Sequence, residues 1–167
     1  MRTQAGGESG TDASMEEIAA RAGVGVGTLY RRFTNKDALI DELLMLSMDE
    51  TVAAAEQALA RPDGYGLEDL LRAFGAQFAR HARYAHLLLQ RRPDSARASR
   101  VRAAVEELTA RALAAGTLDP DVTIADVMAL TWAMRGLVEA TPEADPDSWQ
   151  RFLDIHLAGL RTPANRR

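Results

Sequence analysis

Apolar side chains recur along the chain at three- and four-residue intervals, and no window alternates in twos for long enough to build a half-buried strand. The pattern predicts an all-α fold. The first stripe is Met15, Ile18, Ala19 and Ala22, at i, i+3, i+4 and i+7, opened by Ser14-Met15-Glu16-Glu17. That tetrapeptide is a capping box: the Ser14 hydroxyl accepts from the third backbone N–H while Glu17 reaches back to the cap. Gly23 then supplies a left-handed C-terminal cap, because a residue without Cβ enters positive φ at least cost. After Val24-Gly25 the stripe restarts as Val26, Leu29, Tyr30 and Phe33, leaving Gly27, Thr28, Arg31 and Arg32 on the other face. Two short helices joined by a tight glycine turn are predicted.

Thr34-Asn35 caps a longer helix running from Lys36 to Ala60 and ended by Arg61-Pro62-Asp63-Gly64. At 1.5 Å per residue it spans roughly 37 Å. Its apolar residues fall in adjacent pairs, Leu39/Ile40 and Leu43/Leu44, which is the pattern of a helix touching two bodies at once. Further helices are expected at Leu67–Ala82, around Tyr84–Gln90, at Ser95–Ala115, at Thr123–Glu139 and at Pro146–Leu160, the last with Asp145 at its cap. The helix from Thr123 is apolar nearly all round and should be buried on more than one side. Two such apolar terminal helices in a chain of 167 residues also predict a subunit interface, about 123–160. Residues 1–13, rich in Gly, Ser and Thr, read as a flexible arm, and the Arg-rich segment 161–167 as a tail.

Composition narrows the function classes. Hydrophobic residues are 47% and charged residues 26% of the chain, a globular balance. With no Cys there is neither a disulfide framework nor a thiolate zinc site, and His81 and His86, five apart, do not share a helical face as a metal pair would, so no metal and no cofactor is expected. No apolar stretch approaches a membrane span and the N-terminus carries no apolar signal core, so a cytoplasmic protein is expected. A net charge of −4 argues against indiscriminate coating of nucleic acid. The charge is unevenly spread: from Val26 to Lys36 there are three cations (Arg31, Arg32, Lys36) and no acid. No phosphate loop, nucleophile elbow or carboxylate pair in an apolar setting is present, so no enzyme is expected.

The segment Ser14–Phe33 meets the demands of a helix-turn-helix: a short supporting helix, a glycine turn, and a second helix whose outer face is small and cationic. Gly27 and Thr28 permit close approach to base edges in a major groove, and Arg31, Arg32 and Lys36 can neutralise flanking phosphates. These residues, with the core Gly27-Thr28-Leu29-Tyr30-Arg31-Arg32-Phe33 and Asn35-Lys36-Asp37-Ala38-Leu39 following, resemble the DNA-binding motif of TetR-family transcriptional regulators. The resemblance implies a helix-turn-helix head at 14–45 and a helical ligand-binding and dimerisation domain at 46–160. It further implies that Gly27 and Thr28 face bases and that Tyr30 donates to a phosphate. Lys36 would hold phosphate from the long helix's N-terminus, with Ser14 close to the DNA backbone. The expected partners are a palindromic double-stranded operator, a small-molecule effector and a second copy of the chain joined through the last two helices, with repression relieved by the effector.

There are two departures from the family pattern. Gly25 stands where many members carry a capping Ser, and the apolar helix that precedes the supporting helix in the family is reduced here to at most its last turn. The second departure keeps an alternative in view, a small-molecule-binding or dimer-scaffold protein of the same ancestry with impaired DNA binding. For the effector, Phe74, Phe78, His81, His86, Met128, Trp132 and Arg135 are the candidate residues, an apolar set with a few polar groups. Arg135, set among Trp132, Met134 and Leu137, needs either Glu139 at i+4 or an anionic ligand.

Overall fold

The computed structural model describes residues 13–82, 95–140 and 147–161. The arm expected at 1–13 (save Ala13), the short helix expected at Tyr84–Gln90, His86 with it, and all of the tail after Arg161 lie outside the described residues. Those described form seven helices: α1 Met15–Ala22, α2 Val26–Arg32, α3 Lys36–Leu59, α4 Gly66–His81, α5 Ser95–Ala114, α6 Ile124–Ala140 and α7 Ser148–Leu160. They contain no strand, only an isolated antiparallel bridge between Leu118 and Arg161. None of the helices is long and apolar enough to cross a membrane.

Local chemistry sets most of the boundaries. The N–H of Gly23, at φ 68°, donates into the last turn of α1, and Val24 N–H reaches Ala19 O at 3.0 Å, closing the helix as a Schellman turn. Asn35 Oδ1 accepts from Ala38 N at 2.8 Å and opens α3. Thr123 and Asp126 cap α6 reciprocally, Asp126 Oδ2 accepting from Thr123 N at 2.8 Å. α7 is described from Ser148, with Asp147 at its cap position, and the cap and first position expected at Asp145 and Pro146 lie outside the described residues.

The core lies around α4, which packs against α3, α5, α6 and α7. Leu70, Leu71, Leu108, Val127, Met134 and Leu153 are fully enclosed there. A side chain on Gly75 would fall on the ring of buried Trp149, so this glycine allows α7 to lie close against α4. α3 changes character along its length. Its C-terminal half buries Val52, Ala55 and Ala58, whereas Leu43, Met45 and Leu46 of its N-terminal half are exposed. Surface ion pairs fasten it to its neighbours: Arg97 to Asp49 at 2.6 Å, Arg80 to Glu50 at 2.9 Å, and Arg100 to Glu56.

α6 has three faces. Val127, Leu130, Met134 and Val138 enter the core; Met128, Thr131 and Arg135 turn toward a cavity; Ala125, Ala129, Trp132, Ala133 and Gly136 are exposed. The expectation of burial on more than one side thus holds for two faces and leaves the third open within one copy of the chain.

Candidate nucleic-acid interface and internal cavity

The head is built by short-range bonds. Ser14 Oγ accepts from Glu17 N at 3.2 Å and Glu17 Oε2 accepts from Ser14 N at 2.7 Å, which holds the Glu17 carboxyl below the ordinary glutamate range. α2 starts at Gly25 without a side-chain cap. Gly27, Thr28, Arg31 and Arg32 are all exposed, and the space in front of Gly27 is open. Arg32 lies over the Phe33 ring and reaches Glu42 at 3.4 Å. Tyr30 is 44% exposed, and its hydroxyl donates to Glu16 Oε1 at 3.2 Å, a bond that pushes the phenol's pKa upward. Lys36, half-buried at the start of α3, donates from Nζ to Ala13 O at 2.9 Å. The seven residues singled out in the sequence therefore sit together on α2 and the two helix starts that flank it. Ser14, Tyr30, Arg32 and Lys36 already hold partners within the chain.

A cavity of about 610 Å³ opens between α3, α4, α5 and α6. Leu44, Ser47, Met48 and Thr51 of α3 line it, with Phe74, Gln77, Phe78 and His81 of α4. α5 adds Val101, Arg102 and Val105, and α6 adds Met128, Thr131, Trp132, Arg135, Val138 and Glu139. Phe74, Phe78, His81, Met128, Trp132 and Arg135 thus meet in one place. Arg135 pairs with Glu139 at 2.8 Å, the first of the two partners open to it in the sequence, and its guanidinium lies 5.9 Å from the centre of the Phe78 ring. Three polar side chains of the wall, Ser47 and Thr51 of α3 and Gln77 of α4, were not among the sequence candidates. Gln77 is only 6% exposed and bonds to Ser47 O at 2.6 Å, Ser47 Oγ at 3.1 Å and, as acceptor, to Thr51 Oγ1 at 2.8 Å. The signal was available: Gln77 follows Phe74 at i+3 on the apolar stripe of α4, where a polar residue must find a partner. Among the described residues no cluster of His, Asp or Glu is placed to hold a metal.

Residues 7–43 match the family model described as bacterial regulatory proteins, tetR family, and residues 62–162 match the transcriptional regulator SbtR-like C-terminal domain. The chain belongs to the TetR family of transcriptional regulators. It is accordingly a DNA-binding, helix-turn-helix regulator of transcription. Among solved structures it is similar to the TetR transcriptional regulator SCO0520 from Streptomyces coelicolor, at 28% identity and a TM-score of 0.67 over 93% of this chain and 91% of that one. PfmR from Thermus thermophilus shares the fold at 20% identity and a TM-score of 0.67, covering 91% of both chains. The ketosteroid transcriptional regulator KstR2 of Mycobacterium tuberculosis does so at 19% identity and a TM-score of 0.58, over 91% of this chain and 86% of its own. None of the curated proteins matches the TetR-family chain in sequence.

Proposed function

We propose that this TetR-family regulator is a homodimeric repressor whose two heads, residues 14–45 of each copy, read a palindromic operator and are released when a small molecule enters the cavity of the 46–160 domain. The observation that carries the reading is that one element serves both ends. α3 begins beside α2 with Lys36 and, two to four turns further on, lines the cavity with Leu44, Ser47, Met48 and Thr51. A molecule seated against those side chains bears on the same rod that positions the head. Half-sites in successive major grooves lie about 34–36 Å apart, so a tilt of a few ångströms at each head mis-sets the pair.

Gly27 and Thr28 are the base-facing pair. Arg31, Arg32, Tyr30, Lys36 and the start of α1 at Ser14 make the phosphate contacts, Tyr30 and Lys36 exchanging their internal partners for phosphate oxygens. The dimer forms through α6 and α7, where Ala129, Trp132, Ala133, Gly136 and Ile155 stand exposed on two helices that pack together. Trp132 is 60% and Ile155 58% exposed, apolar surface that a second copy would cover. The regulator works in the cytoplasm and has no catalytic role.

Binding of the purified chain to DNA from its own upstream region, titrated against salt, tests the reading. A steep negative log–log slope is expected, reduced in Lys36→Ala by about one unit per protomer. One observation favours a second reading, a ligand-binding scaffold with a disabled head: α2 fully buries none of its residues. Absence of specific binding even at low salt would overturn the repressor and favour that alternative.

A further inference from the structure

The polar end of the cavity is already hydrogen-bonded within the chain. Among the described residues every buried side-chain nitrogen and oxygen has a partner. Gln77 is bound on both sides, giving hydrogens to Ser47 O at 2.6 Å and Ser47 Oγ at 3.1 Å while accepting from Thr51 Oγ1 at 2.8 Å. Thr51 Oγ1 also lies 2.8 Å from Ser47 O, so its one hydrogen is shared between Gln77 Oε1 and the carbonyl that Gln77 Nε2 already holds. Side chains inserted at helix carbonyls are where helices bend. The site lies where α3 passes from its exposed half, Leu43 to Leu46, into its buried half, Val52 to Ala58.

We infer that Gln77 is a hydrogen-bond latch between α4 and the pivot of α3, and that the effector is a neutral, largely apolar molecule with one acceptor oxygen, which opens the latch by taking the Gln77 amide from Ser47. The inference rests on the reading of this cavity as the effector site. Its chemistry follows from the walls. Phe74, Phe78, Met128 and Val105 supply apolar cover, and both arginines of the wall already hold a counter-ion, Arg135 with Glu139 at 2.8 Å and Arg102 with Glu106 at 3.3 Å. Both Gln77 amide hydrogens are engaged, so an oxygen that takes one of them must displace a bond to Ser47. The 3.1 Å contact of Gln77 with Ser47 Oγ is its longest, and His81 Nδ1 stands 3.4 Å from the same hydroxyl, ready to take it over. A hydrocarbon of the same shape fills the cavity and leaves the latch shut. Gln77 is therefore a positioning residue, acting on the head through α3.

The test uses the full chain, hydrogen–deuterium exchange resolved along α3, and two matched probes, butyrophenone and butylbenzene, which differ by a carbonyl in place of one methylene, with occupancy read from Trp132 fluorescence. In Gln77→Met, exchange over residues 44–51 should rise about tenfold, the scale of one net hydrogen bond, with residues 55–59 unchanged. Butyrophenone should produce the same rise in the wild type and none beyond it in Gln77→Met, whereas butylbenzene should bind without it. Gln77→Glu, which keeps the acceptor for Thr51 but loses both donors to Ser47, should behave as Gln77→Met does. Unchanged exchange at 44–51 in a folded Gln77→Met overturns the latch, as does an equal rise with butylbenzene. If neither probe perturbs Trp132, the effector-site reading fails, and the two Gln77 variants alone decide whether the latch exists.

Discussion

At the scale of single residues, the head separates stability from recognition unusually well. Gly27 lies in helical backbone with nothing within 4 Å of where a Cβ would stand. A leucine there relieves glycine's entropic cost in the helix and meets no neighbour, yet it projects into the open space proposed above for a base edge. Gly27→Leu should keep or slightly raise Tm while weakening operator binding by at least about tenfold, the order expected for one lost base contact. A calorimetric scan beside a binding isotherm checks both halves, and an isotherm like that of the wild type would remove Gly27 from the interface. Gly75 is the opposite case. Its missing side chain is occupied by the Trp149 ring, so Gly75→Ala forces α7 away from α4. It should cost about 1–3 kcal/mol, read as a lower midpoint in urea, with the head's own sequence untouched.

At the scale of helices, what could be read from the chain and what could not divide along a physical line. Caps are local: Ser14 with Glu17, Asn35 with Ala38 and Thr123 with Asp126 close within three residues, so sequence spacing alone is enough to place them. The partners of Gln77, Asp49 and Arg161 lie on other helices, and which side chain meets which depends on how each helix is rotated in the bundle. The apolar set Phe74, Phe78, Met128, Trp132 and Arg135 was legible as a group because stripes on α4 and α6 must converge. Ser47 and Thr51 were not, since on α3 they read as breaks in the apolar pattern. The same local chemistry makes the caps titratable. Hydrogen bonds from Ser14 and Thr123 hold the carboxyls of Glu17 and Asp126 below their ordinary values. A carboxyl with a lowered folded pKa stabilises the fold above its unfolded pKa, and that contribution disappears as pH falls through the folded value. Helix content should therefore begin to fall below about pH 4.5, and the fall should be shallower in Glu17→Gln, as circular dichroism against pH would show.

At the scale of the whole molecule, the exposed apolar strip on α6 and α7 is the surface that the proposed dimer covers. A charge at its centre, Ile155→Glu, would be buried without a partner in any dimer built on that face. Sedimentation should then find monomers at concentrations where the wild type is dimeric, with circular dichroism unchanged and the salt slope of DNA binding roughly halved. A dimeric Ile155→Glu would place the interface elsewhere. Trp132 belongs to this strip and to the cavity wall alike. A side chain shared by two equilibria ties them thermodynamically: whatever the cavity's occupant does to self-association, self-association does to the occupant's affinity by the same factor. Dose-response midpoints for this regulator should consequently drift with the amount of protein in the assay, and the size of that drift measures how much free energy the indole passes between the two.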